Sequence, residues 1–143
     1  MQVPSLEDAI ILAAKAHKGQ LDRAGQPYIL HPLRVMLRLP DESARIAAIL
    51  HDVVEDTATT MEDLRAAGYA EEVLAALDCV TRRNAETYEE FIERIAPNPL
   101  ARRVKLADLA DNMDLTRLRA IDEKDRERME RYQAAWKRLG GSQ

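Results

Sequence analysis

Ala47-Ala48-Ile49-Leu50-His51-Asp52-Val53-Val54-Glu55-Asp56-Thr57 is the stretch on which the reading of this chain turns. An apolar run leads into an imidazole and a carboxylate at adjacent positions, and two further carboxylates follow one helical turn later. A helix this apolar points into a protein interior. Removing the water from a carboxylate costs several kcal/mol, so buried acids are paired or bound to a cation. The stretch therefore predicts a metal site, and spare acids beside a metal predict hydrolysis. Asp41 caps the helix that carries it, over 42–54.

Outward from this segment the pattern is helical throughout. Ser5, with Asp8 three residues on, starts a helix over 6–18, which Gly19 stops. Residues 20–30 read as a loop broken by Gly25 and Pro27. A second helix follows His31, with Pro32 in its first turn and Pro40 at its end. Thr60 caps a helix over 61–67. Further helices are expected over 70–81, 88–95, 100–115 and 123–139. No alternating strand pattern, repeat or linker interrupts them. The class is all-α, one domain over residues 1–143, with about seven or eight helices.

Composition narrows the function classes. The chain has 143 residues, 46% hydrophobic but only 4% aromatic, so aliphatic side chains and alanines fill the core. A net charge of −4 argues against a nucleic-acid partner, while a local basic pocket could still take a small anionic ligand. The single cysteine, Cys79, forms no internal disulfide and fits a reducing, cytoplasmic setting. No signal peptide and no apolar run of about 20 residues is present, so no membrane partner is expected. Oligomeric state is left open, homo-oligomers included.

Four polar positions interrupt apolar surroundings: His31, His51, Asp52 and Asp108. Two imidazoles and two carboxylates suit a divalent ion, with Mn²⁺, Fe²⁺, Co²⁺ and Zn²⁺ all open, and the lack of thiolates argues against a closed structural zinc. Glu55 and Asp56 stand four residues after His51 and Asp52, on the same helical side, where they would orient or deprotonate a water. Asn112, four residues after Asp108, would face the same cavity. Each position also has a plain reading. His31 could cap a helix, Glu55-Asp56 could be a solvated helix end, and Asp108 could pair with Arg103 or Lys105. His17, among lysines, reads as a support residue or a surface residue. Cys79, Met113 and Trp136 read as core, and the charges over 125–131 as a solvated helix face. Co-occurrence favours the functional reading.

Four stretches together carry a resemblance. They are Ala16-His17-Lys18-Gly19-Gln20, Gly25-Gln26-Pro27-Tyr28-Ile29-Leu30-His31-Pro32-Leu33-Arg34-Val35, Leu50-His51-Asp52-Val53-Val54-Glu55-Asp56-Thr57 and Val104-Lys105-Leu106-Ala107-Asp108. In order and spacing they resemble the hydrolase domain of RelA/SpoT proteins and the small Mesh1-like alarmone hydrolases, within the HD-domain phosphohydrolase superfamily. The resemblance covers about residues 14–118. It implies a helical HD fold and one Mn²⁺ on His31, His51, Asp52 and Asp108. It also implies that Glu55 and Asp56 prepare the attacking water, and that Asn112 contacts the nucleotide. The implied reaction removes pyrophosphate from the 3′ position of ppGpp or pppGpp. The length leaves no room for the synthetase domain of the long members, so a hydrolase alone, or one that acts with separate partners, is expected.

Departures bear on substrate. Leu21 and Asp22 stand at two positions of a usual basic cluster, of which Arg23 is kept. Leu109 replaces a usual Arg or Lys, Asp111 a usual His or Tyr, and Leu115 a small hydroxyl residue. Added acids such as Asp22, Asp111 and Asp114 would repel a polyanion wherever they face the pocket. Arg23, Lys18, Lys105 and Asn112 are the candidate substrate contacts. Two alternatives stand beside the alarmone reading: an HD phosphohydrolase for another nucleotide or small phosphoester, and a non-catalytic nucleotide-binding module.

Overall fold

A computed structural model describes residues 2–141. Nine helices follow in order among these residues: α1 (Leu6–Ala16), α2 (Leu30–Leu37), α3 (Glu42–Leu50), α4 (Val53–Asp56), α5 (Met61–Ala67), α6 (Glu71–Val80), α7 (Tyr88–Ile95), α8 (Pro99–Asn112) and α9 (Glu123–Arg138). The architecture is all-α, and no helix is long and apolar enough to cross a membrane.

The core forms around α3. Its Ala44, Ile46, Ala47, Ala48, Ile49 and Leu50 are all buried, and α1, α2, α6 and α8 pack against it. Alanines on several of its faces let these neighbours approach closely, and the aliphatic side chains fill what remains. Caps set the starts of the helices. Ser5, Thr60, Thr87 and Asp122 each form a reciprocal box with the acid three residues on. Asn98 caps α8, where Pro99 takes a first-turn position at which the missing N–H costs nothing.

Three boundaries differ from the periodicity. The helix expected over 42–54 is interrupted at His51 and Asp52, so that α3 ends at Leu50 and α4 starts at Val53. There the Ala48 carbonyl accepts from the His51 side chain at 2.6 Å and from the His51 amide at 3.3 Å. The break swings the imidazole inward. Helix α2 starts at Leu30, so His31 lies inside the first turn rather than ahead of it, and Pro32 stands in that turn as expected. Helix α8 stops at Asn112, short of Leu115, with Met113 as its C-cap.

The 18–29 connection is not featureless. Asp22 accepts from the amides of Ala24 and Gln26, each at 2.9 Å, and Leu21 bridges Pro27. Gly25 takes φ +82°, a left-handed conformation that only glycine adopts freely. The resulting hairpin forms one rim of a cavity.

Candidate metal centre and active site

The two histidines arrive from different helices with their rings already oriented. His31, on α2, donates from Nδ1 to Asp111 Oδ2 at 2.6 Å. His51, at the α3–α4 break, donates from Nδ1 to the Ala48 carbonyl at 2.6 Å. Both partners only accept, so Nδ1 carries the hydrogen and Nε2 of each ring faces inward. His31 Nε2 lies 2.8 Å from Asp108 Oδ1, and His51 Nε2 lies 3.2 Å from the same oxygen. Asp52 Oδ2 lies 3.0 Å from His51 Nε2 and 3.9 Å from His31 Nε2. His31, His51 and Asp108 are buried.

This donor set fits a divalent ion. Ligand atoms held at about 2.0–2.2 Å from one ion stand roughly 3–4 Å from each other, which is the range seen here. The electrostatics point the same way. Burial opposes the charged form of His31, yet its hydrogen bonds to Asp108 and Asp111 outweigh that and raise its pKa. His51 is raised well above the usual value: burial works against the charge, but Asp52 and Asp108 overcome it. The cluster calls for positive charge between its imidazoles and carboxylates.

His31, His51 and Asp108 form one compact group. Asp52, Glu55 and Asp56 form a second, acidic group beside it, so Asp52 stands between the two. Glu55 Oε1 accepts from the Arg82 amide at 2.7 Å, fixing its carboxylate at the cavity wall. The Asp56 carboxyl is pushed up to about 6, chiefly by partial burial and then by the charges of Asp52 and Glu55. A cation bound nearby would pull it back down.

A cavity of about 500 Å³ opens over both groups. Arg23, Lys105 and Asn112 line it, whereas Lys18 is exposed and lies outside the lining. Lys105 Nζ stands 2.9 Å from Asp108 Oδ2, and Asn112 Nδ2 donates to Asp108 Oδ1 at 3.2 Å. Arg23 pairs with Asp125. Asp108 pairs with Lys105; Arg103 pairs instead with Asp41.

The structure decides two readings that the sequence left open. His17 takes the support reading over the surface one: it is 1% exposed, its Nδ1 bonds Gln20 Oε1 at 2.8 Å, and its ring lies 5.1 Å from that of Tyr28. Asp111 does not face a ligand. It is fully buried behind His31, and Arg34 grips it with contacts of 2.8 and 3.1 Å. Its carboxyl is held well below the usual range: burial would raise it, but the hydrogen bonds from His31 and Arg34 dominate. Asp111 thus orients a ring rather than repelling a polyanion. Leu109 is buried core, so its substitution for a basic residue adds apolar packing.

The sequence reading also missed contributors. Tyr28 donates its hydroxyl to Asp52 Oδ2, and burial followed by the Asp52 charge raises the phenol pKa so that it stays a donor. Gln20 Nε2 donates to the Asp56 carbonyl at 3.0 Å, tying the 18–29 connection to α4. A helical step of three from Asp108 would have pointed to Asp111, but its partner Arg34 lies 77 positions away.

Asp111→Asn should weaken divalent-metal binding by about 10- to 100-fold, the usual effect of losing a carboxylate behind a ligating histidine. Equilibrium dialysis against Mn²⁺ reads it directly. Unchanged affinity would reduce Asp111 to a packing residue.

An HD-domain family model matches residues 9–139. The chain is 34% identical to a GTP pyrophosphokinase of Streptomyces coelicolor, over 94% of this chain and 18% of that protein. It is 36% identical to the bifunctional (p)ppGpp synthase/hydrolase SpoT of Escherichia coli, over 78% of this chain and 18% of SpoT. It is 35% identical to a guanosine-3′,5′-bis(diphosphate) 3′-pyrophosphohydrolase of Aquifex aeolicus, over 76% of this chain and 17% of that enzyme. The chain thus spans under a quarter of the length of these relatives. A solved structure, described as a metazoan ortholog of SpoT that hydrolyses ppGpp and plays a role in starvation responses, superposes with a TM-score of 0.81 at 27% identity. That match covers 99% of this chain and 89% of the other.

Proposed function

Because the chain belongs to the HD-domain phosphohydrolase family, in its RelA/SpoT line, we propose that it removes pyrophosphate from the 3′ position of ppGpp or pppGpp, leaving GDP or GTP. One observation carries the reading: His31, Asp52 and Asp108 share a cavity wall with the acid pair Glu55 and Asp56, and His51 stands behind them with its Nε2 against Asp52 and Asp108. The likeness, over nearly the whole chain, to a structure described as hydrolysing ppGpp supports the substrate.

His31, His51, Asp52 and Asp108 would hold the metal, with Mn²⁺ as our choice among divalent ions. When bound, that cation supplies Lewis acidity and lowers the pKa of water. Glu55, anchored by the Arg82 amide, takes a proton from the attacking water. The water oxygen bonds to the phosphorus attached to the 3′ oxygen, and that P–O bond breaks. Asp56 beside it helps orient that water, and the departing 3′ oxygen takes its proton from solvent, so pyrophosphate and the nucleotide leave with balanced charge. Lys105 and Asn112, both bonded to Asp108, stand where they can reach phosphate oxygens. We place the reaction in the reducing cytoplasm, on the strength of the lone free thiol of Cys79.

A second reading keeps the chemistry and changes the substrate. Leu21, 66% exposed, and Asp22 sit on the cavity rim where the family carries basic residues. The discriminating assay offers ppGpp, pppGpp and a panel of other nucleotides and phosphoesters with Mn²⁺. Pyrophosphate release from ppGpp is expected. Inert ppGpp alongside turnover of another phosphoester would transfer the case to the second reading.

A further inference from the structure

Three cations from three elements gather on one aromatic ring at the cavity wall. Arg82 Cζ, between α6 and α7, stands 5.7 Å from the Tyr88 ring centroid; Arg131 Cζ of α9 stands at 5.4 Å, and Lys105 Nζ of α8 at 5.9 Å. All four residues line the cavity. The negative face of the ring attracts each cation, but three like charges around one ring repel one another.

What sets Arg82 and Arg131 apart is their lack of counter-charge. Elsewhere in the cavity Arg23 and Arg128 pair with Asp125, Arg34 and Arg117 with Asp111, and Lys105 with Asp108. Among the described residues neither Arg82 nor Arg131 forms an ion pair. Glu55 reaches the Arg82 amide, not its guanidinium, which makes only a 3.4 Å contact with the Glu86 carbonyl. The Tyr88 hydroxyl is buried without a hydrogen-bond partner.

We infer that Arg82 and Arg131, gathered over Tyr88, form an anion subsite for a phosphate group of the substrate other than the one being hydrolysed. The inference rests on the proposed function for the nucleoside, and in ppGpp the group is the 5′-diphosphate. Two planar guanidinium forks suit phosphate oxygens. Lys105 links the subsite to the metal cluster, because its ammonium touches Asp108. A site built this way selects nucleotides that carry phosphate at both ends and discriminates against simple monoesters.

The test compares wild type with Arg131→Gln, which leaves untouched the Arg82 amide that anchors Glu55. The Arg131 side chain is exposed, so melting temperature should hold. With Mn²⁺, KM for ppGpp should rise about 10- to 100-fold, the usual worth of lost charge-assisted hydrogen bonds. KM for guanosine 3′-diphosphate, which lacks the 5′ group, should stay unchanged, as should kcat for both. Parallel rises for the two compounds, or no rise, would overturn the subsite. Calorimetry with GDP needs no turnover and should show affinity about tenfold or more weaker in the variant. If ppGpp proves inert yet GDP binding falls in the variant, the function fails and the subsite stands. Equal GDP affinity refutes the subsite whatever the enzyme hydrolyses.

Discussion

Asp108→Ala is expected to abolish divalent-metal binding and hydrolysis together. Asp108 is the hub of the site: one of its oxygens meets His31, His51 and Asn112, and the other meets Lys105. Truncation leaves two inward-facing imidazoles without the acid that joins them. Losing a metal's several kcal/mol of charge stabilisation lowers turnover by a factor on the order of 10³ or more. Fold stability falls as well, because Lys105 is left largely buried without its counter-charge, a loss of about 3–5 kcal/mol. Asp108→Asn separates the two effects, since it retains an oxygen to accept from Lys105. Metal content after dialysis, melting temperature and turnover are measured on both variants. Stoichiometric metal in a folded Asp108→Ala protein would remove Asp108 from the ligand set.

Glu55→Gln should show the opposite split, with metal retained and turnover lowered by a factor on the order of 10²–10⁴. The amide oxygen of Gln can still accept from the Arg82 amide, so the wall keeps its shape while the base is lost. Metal affinity should match wild type. Equal loss of metal and activity would make Glu55 a ligand and falsify its role as proton acceptor.

The outer frame of the molecule was legible because its signals are local. Ser5, Asp41 and Thr60 hold amides a turn away, and helix starts follow. His31, His51 and Asp108 could be read because each interrupts an apolar stretch that must be buried, and a buried polar group demands a partner. The break at His51 could not be read, since residues 47–54 keep an unbroken helical pattern. The Ala48 carbonyl shared between the His51 ring and amide ends the helix there. Among its lysines His17 could be read as support or as surface, and the choice was not legible because the contact with Tyr28 that buries it is tertiary. Asp111 shows the same limit: its negative charge was visible, but its neutralisation by Arg34 depends on α2 lying against α8.

The inner wall of the cavity belongs to α2, α4 and α8, and α2 and α8 both pack on the buried α3. The rim belongs to a hairpin and to α9, joined across the mouth by Arg23 and Asp125. Heritable change is therefore tolerated unequally across the site. Replacements at Leu21, Asp22 or along α9 can retune which small molecule is admitted while leaving the His/Asp cluster intact, whereas a change in size at Leu50, fully buried and next to His51 in the chain, disturbs the helix break that orients that ring.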